Sequence, residues 1–152
     1  MVGLDRAREL GARESGLAIV VTSRAVDDSA QVSLVNAGVL DHPVSGEPVV
    51  GFVARGGAKK IPNLRRRPRA TVVFRSGWDW VAIEGEAELA GPGDVLEGFD
   101  RADVPRLLRV VYAAAVGGSE GDWAELDAVM AAERHTAVLV RPSRIYSNPG
   151  AS

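Results

Sequence analysis

Residues 55–69, RGGAKKIPNLRRRPR, concentrate the groups of this chain that could do chemistry. Arg55, Lys59, Lys60, Arg65, Arg66, Arg67 and Arg69 stand there with no acidic residue between them. Glycines ahead of the lysines let backbone approach a ligand closely, a helix start would offer unpaired N–H groups, and lysine and arginine supply charge. Together these describe an anion site suited to phosphate. The other reading is a solvated helix whose charges face water. So many like charges in so short a span repel one another unless an anion or an acidic surface offsets them, which favours the anion site. No aromatic residue lies within 55–69 to stack a nucleobase. Trp78 and Trp80 follow, spaced to fall on one side of a strand. Core or interface packing is the ordinary use of such a pair, with stacking on a ligand the alternative.

Other constellations carry less. Gly117-Gly118-Ser119-Glu120-Gly121 has the spacing of a nucleophile elbow, but that motif needs a strand before it, and residues 106–116, RLLRVVYAAAV, read as a helix. A flexible loop between two helices is expected there. Gly51 and Gly56-Gly57 lack the Gly-Lys-Ser/Thr ending of a phosphate loop, and no G-x-G-x-x-G opens a strand–helix unit. His42 and His135 form no ligand spacing, so surface or helix-terminal roles are expected for them and no metal site. Glu84, Glu86 and Glu88 alternate along one strand and read as a solvated stripe. The chain has no cysteine, which excludes disulfides, thiolate metal sites, iron–sulfur clusters and a cysteine nucleophile.

The elements that must position these groups follow from composition and periodicity. At 152 residues, the chain has the length of one domain. It is 46% hydrophobic and 25% charged, ordinary for a globular protein. Only 5% is aromatic, so the core must come from valine, alanine, leucine and isoleucine, and the valines favour sheet. A net charge of −2 and a pI near 5.7 argue against general nucleic-acid binding. Outside 55–69 the acidic residues outnumber the basic ones, making an acidic body with one basic segment. No apolar run approaches the roughly 20 residues that span a bilayer, and the first residues lack the apolar centre of a signal peptide, so a soluble, cytoplasmic protein is expected.

Along the chain, residues 4–14 predict a short helix and 17–24 a strand. A turn at Asp27-Asp28-Ser29 leads to a less cleanly alternating strand over 30–40, a loop over 41–48 and a strand over 49–54. The basic segment predicts a glycine turn and a short helix that Pro68 ends, and 70–75 and 80–89 predict further strands. Helical runs at 101–116 and 122–134 precede an interrupted strand over 136–147. About six mostly antiparallel strands with few short helices predict a mainly β, α+β fold: a closed or partly closed β-barrel with peripheral helices.

The order of these elements, the stretch GFVARGGAKKIPNLRRRPRATVVF (51–74) and WVAIEGEAEL (80–89) resemble the pyridoxamine 5′-phosphate oxidase-like split β-barrel flavoproteins. Within them the resemblance is to the branch of deazaflavin reductases that use coenzyme F420. It covers about residues 5–147. Its most specific part is Lys60 ahead of Asn63-Leu64-Arg65-Arg66-Arg67-Pro68-Arg69, followed by a strand and the pair Glu84-Gly85.

The resemblance implies an FMN-binding split-barrel fold and a homodimer with two cofactor sites at the subunit interface. Arg55, Lys60 and Asn63 would hold the cofactor phosphate with Lys59 nearby, and Val53 and Ala54 would border the cofactor. Ser33, Leu34, Val35 and Asn36 would present backbone groups to the ring system, and Trp78 or Trp80 would approach from the partner subunit. Relatives often carry a hydroxyl residue where Ala54 stands, so Arg55 would substitute for that contact. The excess of arginine over lysine fits a high-GC source such as an actinobacterium, where this deazaflavin occurs.

The implied activity is hydride transfer from reduced F420 to a small organic acceptor, with the protein binding, orienting and excluding water. No side chain is required as chemical catalyst, and Tyr112, Tyr146 or solvent could supply a proton. FMN is the alternative cofactor; the extended basic stretch better matches the longer polyanion of F420. A non-catalytic F420 carrier on the same fold is the non-enzyme alternative, and a nucleic-acid-binding barrel is disfavoured by the acidic remainder of the chain.

Overall fold

A computed structural model describes residues 3–117 and 123–148. Six strands close into one antiparallel barrel in the order β1-β2-β3-β6-β5-β4. They are β1 (Leu17–Ser23), β2 (Ala30–Asp41), β3 (Pro48–Ala54), β4 (Arg69–Ser76), β5 (Asp79–Ala90) and β6 (Thr136–Ser147). Helix α1 (Leu4–Arg13) precedes the barrel, α2 (Lys60–Arg66) joins β3 to β4, and α3 (Val104–Val116) and α4 (Trp123–Ala132) lie between β5 and β6. Among the described residues no helix is long and apolar enough to cross a membrane. The expected barrel with peripheral helices is what forms.

Alternation fills the barrel. Ala18 and Val20 of β1, Val50 and Phe52 of β3, Val72 and Phe74 of β4, Val81 and Ile83 of β5, and Val138 and Val140 of β6 make the inner core. Burying each large aliphatic or aromatic side chain stabilises the fold by about 1.5–3 kcal/mol. A second apolar cluster lies outside the barrel wall, where Leu107, Leu108 and Val111 of α3 cover Val49 of β3 and Ala137 and Leu139 of β6. Residues 137–140 are therefore buried on both faces, which is why they form a continuous apolar run rather than an alternating one.

Strand β2 changes partners midway. Residues 30–36 pair with β1, and 37–41 pair with β3. In the first half, outward residues are exposed, whereas from Ala37 onward α3 covers the strand, so the burial pattern loses its alternation. At Gly38 the approach is so close that a Cβ would stand 2.2 Å from the carbonyl oxygen of Ala114. Only glycine admits α3 there.

The structure corrects three expectations about side chains. Trp78 is not on a strand: Gly77, at φ +61°, and Trp78 form the two-residue turn between β4 and β5, so spacing by two does not set its direction. His42 is buried, not superficial. Its Nδ1 accepts from the backbone N–H groups of Val44 and Ser45 at 3.1 and 3.2 Å, which places the ring proton on Nε2, 3.0 Å from Oε1 of Glu88. Glu88 therefore leaves the expected solvated stripe; Nε of Arg141 also donates to its Oε1. Burial raises this carboxyl, and the hydrogen bonds from Arg141 and His42 outweigh it, holding it below the usual carboxylate range. Residues 118–122, including Ser119 of the elbow-like motif, lie outside the described residues; the helix expected before them is α3, which Gly117 ends in the left-handed conformation.

Candidate functional site

The end of β3 delivers Val53, Ala54 and Arg55 to the rim of a groove of about 460 Å³. Leu34, Val35 and Asn36 of β2 form the adjoining wall, and Tyr112 and Ala115 of α3 with Leu126, Val129 and Met130 of α4 face them. Ala58 and Lys60 close the end nearest α2, and His135 lies where α4 turns into β6. The walls are mainly apolar and the charge sits at the rim, the usual build of a site for a planar organic ligand with an anionic end.

Lys60 is half-buried, and burial lowers its ammonium pKa. Among the described residues no carboxylate pairs with it. Arg55, by contrast, places Nε 3.1 Å from Oε2 of Glu133, and the same oxygen lies 2.9 Å from Nε2 of His135. Nδ1 of His135 is buried without a hydrogen-bond partner.

The arginine end of the basic segment behaves differently from the lysine end. Arg65 binds Asp94 through two bonds at 2.9 and 2.8 Å. Arg66 reaches Asp28 at 2.7 Å, Arg67 approaches the same oxygen at 3.6 Å, and Arg69 donates to Ser143 at 3.2 Å. Like charges gathered in sequence are thus offset largely by acidic residues of the same chain. Of the cations left without a carboxylate partner among the described residues, Lys60 is the one that lines the groove.

The structure brings Leu34, Val35, Asn36, Val53, Ala54, Arg55 and Lys60 together around the groove. Five other expected residues do not line it. Ser33 pairs with Val20 across β1 and β2. Lys59 lines a separate hollow beside Arg134 and Pro92. Asn63 is buried and satisfied: its Nδ2 donates to Gln31 Oε1 at 2.7 Å and to Thr22 Oγ1 at 3.2 Å, and its Oδ1 accepts from the N–H of Ala25 at 3.3 Å. In this arrangement it fastens α2 to the β1–β2 hairpin, with both side-chain N–H donors engaged within the chain. Trp78 is 94% exposed. Trp80 packs edge-on against Tyr146, with ring centroids 6.1 Å apart.

Of the two tyrosines considered as proton sources, Tyr112 lines the groove; the hydroxyl of Tyr146 instead donates to Glu84 at 2.6 Å, away from it. Sequence reasoning gave His135 only a surface or helix-terminal role and missed Leu126, Val129 and Met130. The apolar content of α4 was the only sign of them, and it could not say what the helix would face. No group of His, Asp and Glu suited to a metal occurs among the described residues.

These residues fit a flavin-type cofactor. Apolar strands and helices on facing walls suit a planar ring, and a half-buried ammonium with no carboxylate at the rim suits a phosphate.

Comparison with protein-family models and with curated proteins finds no sequence match. Solved structures do match. The conserved hypothetical protein Rv2991 from Mycobacterium tuberculosis superimposes with a TM-score of 0.67 at 18% identity, covering 100% of this chain and 92% of that one. A pyridoxamine 5′-phosphate oxidase-related, FMN binding protein from Nostoc punctiforme gives 0.62 at 12% identity, over 95% of this chain and 78% of the other. A protein described as an F420 reductase gives 0.56 at 13% identity, over 87% and 90% of the two chains. At such identities the likeness establishes architecture: this chain has the six-stranded split-barrel fold of the pyridoxamine 5′-phosphate oxidase-like, FMN-binding proteins.

Proposed function

We propose that this chain is an oxidoreductase that binds coenzyme F420 in the groove and reduces a small organic acceptor beside it. The observation that carries the reading is Lys60, a half-buried ammonium without a carboxylate partner at the rim of an apolar groove. The fold shared with an F420 reductase supports it. Lys60 and Arg55 hold the phosphate, while Val53, Ala54, Leu34, Val35 and Asn36 border the ring. When bound, the reduced deazaflavin supplies a hydride. The apolar walls from α3 and α4 exclude water and orient the acceptor, and the Tyr112 hydroxyl holds the proton that a reduced C=C or C=N product needs.

The working unit in this reading is a homodimer. Leu17 and Ile19 of β1 and Val32 and Leu34 of β2 form an exposed apolar face, with Ile19 and Leu34 directly opposite across the strands. Contiguous exposed apolar surface of this kind marks an association site, and a second copy presents the same face. In this reading Trp78, exposed on its turn, approaches the groove of that second copy.

A second reading is FMN in the same groove. The pairing of Arg65, Arg66 and Arg67 within the chain leaves a compact cationic rim, which suits a single phosphate. Fluorescence titration with F420 and with FMN, repeated on Lys60→Ala, separates the readings. Tight F420 binding, weakened at least about tenfold by the substitution, equivalent to about 1.4 kcal/mol, is the expected result. Preference for FMN moves the assignment to the flavin branch, binding without turnover across a panel of acceptors makes the protein a carrier, and binding of neither removes the reading.

A further inference from the structure

Met130 and His135 line the groove and also line a second hollow of about 250 Å³. This chamber lies between the turn at Gly91 and Pro92, the first turns of α3 and the facing side of α4. Val104, Leu108 and Met130 give it apolar walls. An apolar cavity of about 150 Å³ suffices for benzene, so this chamber has room for one substituted six-membered ring.

Two ionic groups reach it, and they differ. Asp127 is engaged by Arg109 through two bonds at 2.9 and 2.8 Å. Arg101 donates to the carbonyl oxygen of Pro92 at 3.0 Å, and among the described residues no carboxylate pairs with it. The guanidinium keeps N–H donors in the forked geometry that matches a carboxylate. Apolar walls with one unneutralised guanidinium define the occupant: a flat or compact apolar body carrying a single negative charge.

We propose that this chamber is the acceptor site and takes a compact cyclic or aromatic monocarboxylate, with the ring among Val104, Leu108 and Met130 and the carboxylate on Arg101. The role as acceptor site rests on the groove being the cofactor site, since Met130 and His135 are walls of both. The ligand class rests on the chamber alone. Met130 is the adaptable boundary between the two, and repacking of its thioether chain would open the chamber to the groove so that the bound ring meets the cofactor directly, as hydride transfer requires.

The test titrates the purified protein with benzoate, reading methyl resonances of Met130, Leu108 and Val104 by NMR, with benzyl alcohol as the neutral comparison. Binding confined to those methyls, weakened at least about tenfold in Arg101→Gln and for benzyl alcohol, is expected. Ala131→Phe, an exposed position of α4 that lines the chamber, removes the binding while leaving the circular dichroism spectrum unchanged. Shifts at other methyls, or equal affinity in Arg101→Gln and wild type, overturn the proposal. Lys60→Ala separates the two readings: it leaves benzoate binding unchanged and weakens the flavin-type cofactor. If benzoate binds as expected while neither F420 nor FMN binds wild-type protein, the acceptor role falls and with it the cofactor reading, but not the carboxylate chamber.

Discussion

The outer surface of the barrel has two halves made from similar residues with opposite fates. Along β3, β6 and the second half of β2, outward residues such as Val49 and Leu139 are fully buried because α3 lies on them. Along β1 and the first half of β2, outward residues are just as apolar, yet Val32 is 61% and Leu34 66% exposed. Burial alternates cleanly only along the bare half, because on the covered half both faces of the strands are buried. What differs is whether the chain has a helix to spend on the face, and the half left bare is the half available to another surface. The groove lies at the seam, taking Leu34 from the bare half and Tyr112 and Ala115 from the helix that covers the other.

The sharpest way to break the contrast is to lift α3. Gly38→Val places carbon atoms where the Ala114 carbonyl oxygen now stands, and should destabilise the protein by about 3 kcal/mol, lowering the midpoint of a thermal melt by about 6–12 °C. An unchanged melt would mean that α3 is not seated there. A matched pair of truncations sharpens it: Val111→Ala, on the buried side of α3, should cost about 2 kcal/mol in urea unfolding, whereas Ile19→Ala on the bare face should cost less than about 1 kcal/mol. Equal losses would show that the bare face is already covered.

Association probes the bare half directly. Wild-type protein is expected to sediment as two chains and Ile19→Lys as one, with the stability of the single chain changed by less than about 1 kcal/mol. A wild-type monomer would remove the homodimer from the proposed function. The smallest effect concerns the polar cluster on the covered half, where Glu88 stands opposite Leu139. Because its folded carboxyl titrates below the ordinary value of 4.5, its contribution is complete above about pH 4.5 and is lost as pH falls through the lower folded value. Stability measured from pH 6 to pH 3 should therefore fall more steeply in wild type than in Glu88→Gln. Parallel curves would show that Arg141 and His42 do not favour the ionised form.

The strands were legible because each presents a β-branched face to the same interior, a property of neighbouring residues that needs no knowledge of distant ones. The short helix of the basic segment was legible for a related reason, its ends being set by Gly56-Gly57 and Pro68. Half of the groove could be named: Arg55 and Lys60 from the basic segment itself, and Leu34, Val35, Asn36, Val53 and Ala54 only through the family resemblance. His42 and Glu88 were misjudged because they are partners across 46 positions, and a lone charged residue looks the same in sequence whether or not its partner awaits it.

What the amino-acid sequence determined by itself was therefore local: which segments extend, which coil, and where cations gather. Tertiary structure alone decided which of those cations stay free. Asp28 and Asp94 come back to neutralise Arg66 and Arg65, Glu133 returns to Arg55, and Lys60 is left at the groove without a carboxylate. It also made Asn63 a fastener between α2 and the first hairpin. The physical reason is that charge compensation and hydrogen bonding act through space over a few ångströms, and a closed barrel makes neighbours of residues that the chain keeps far apart.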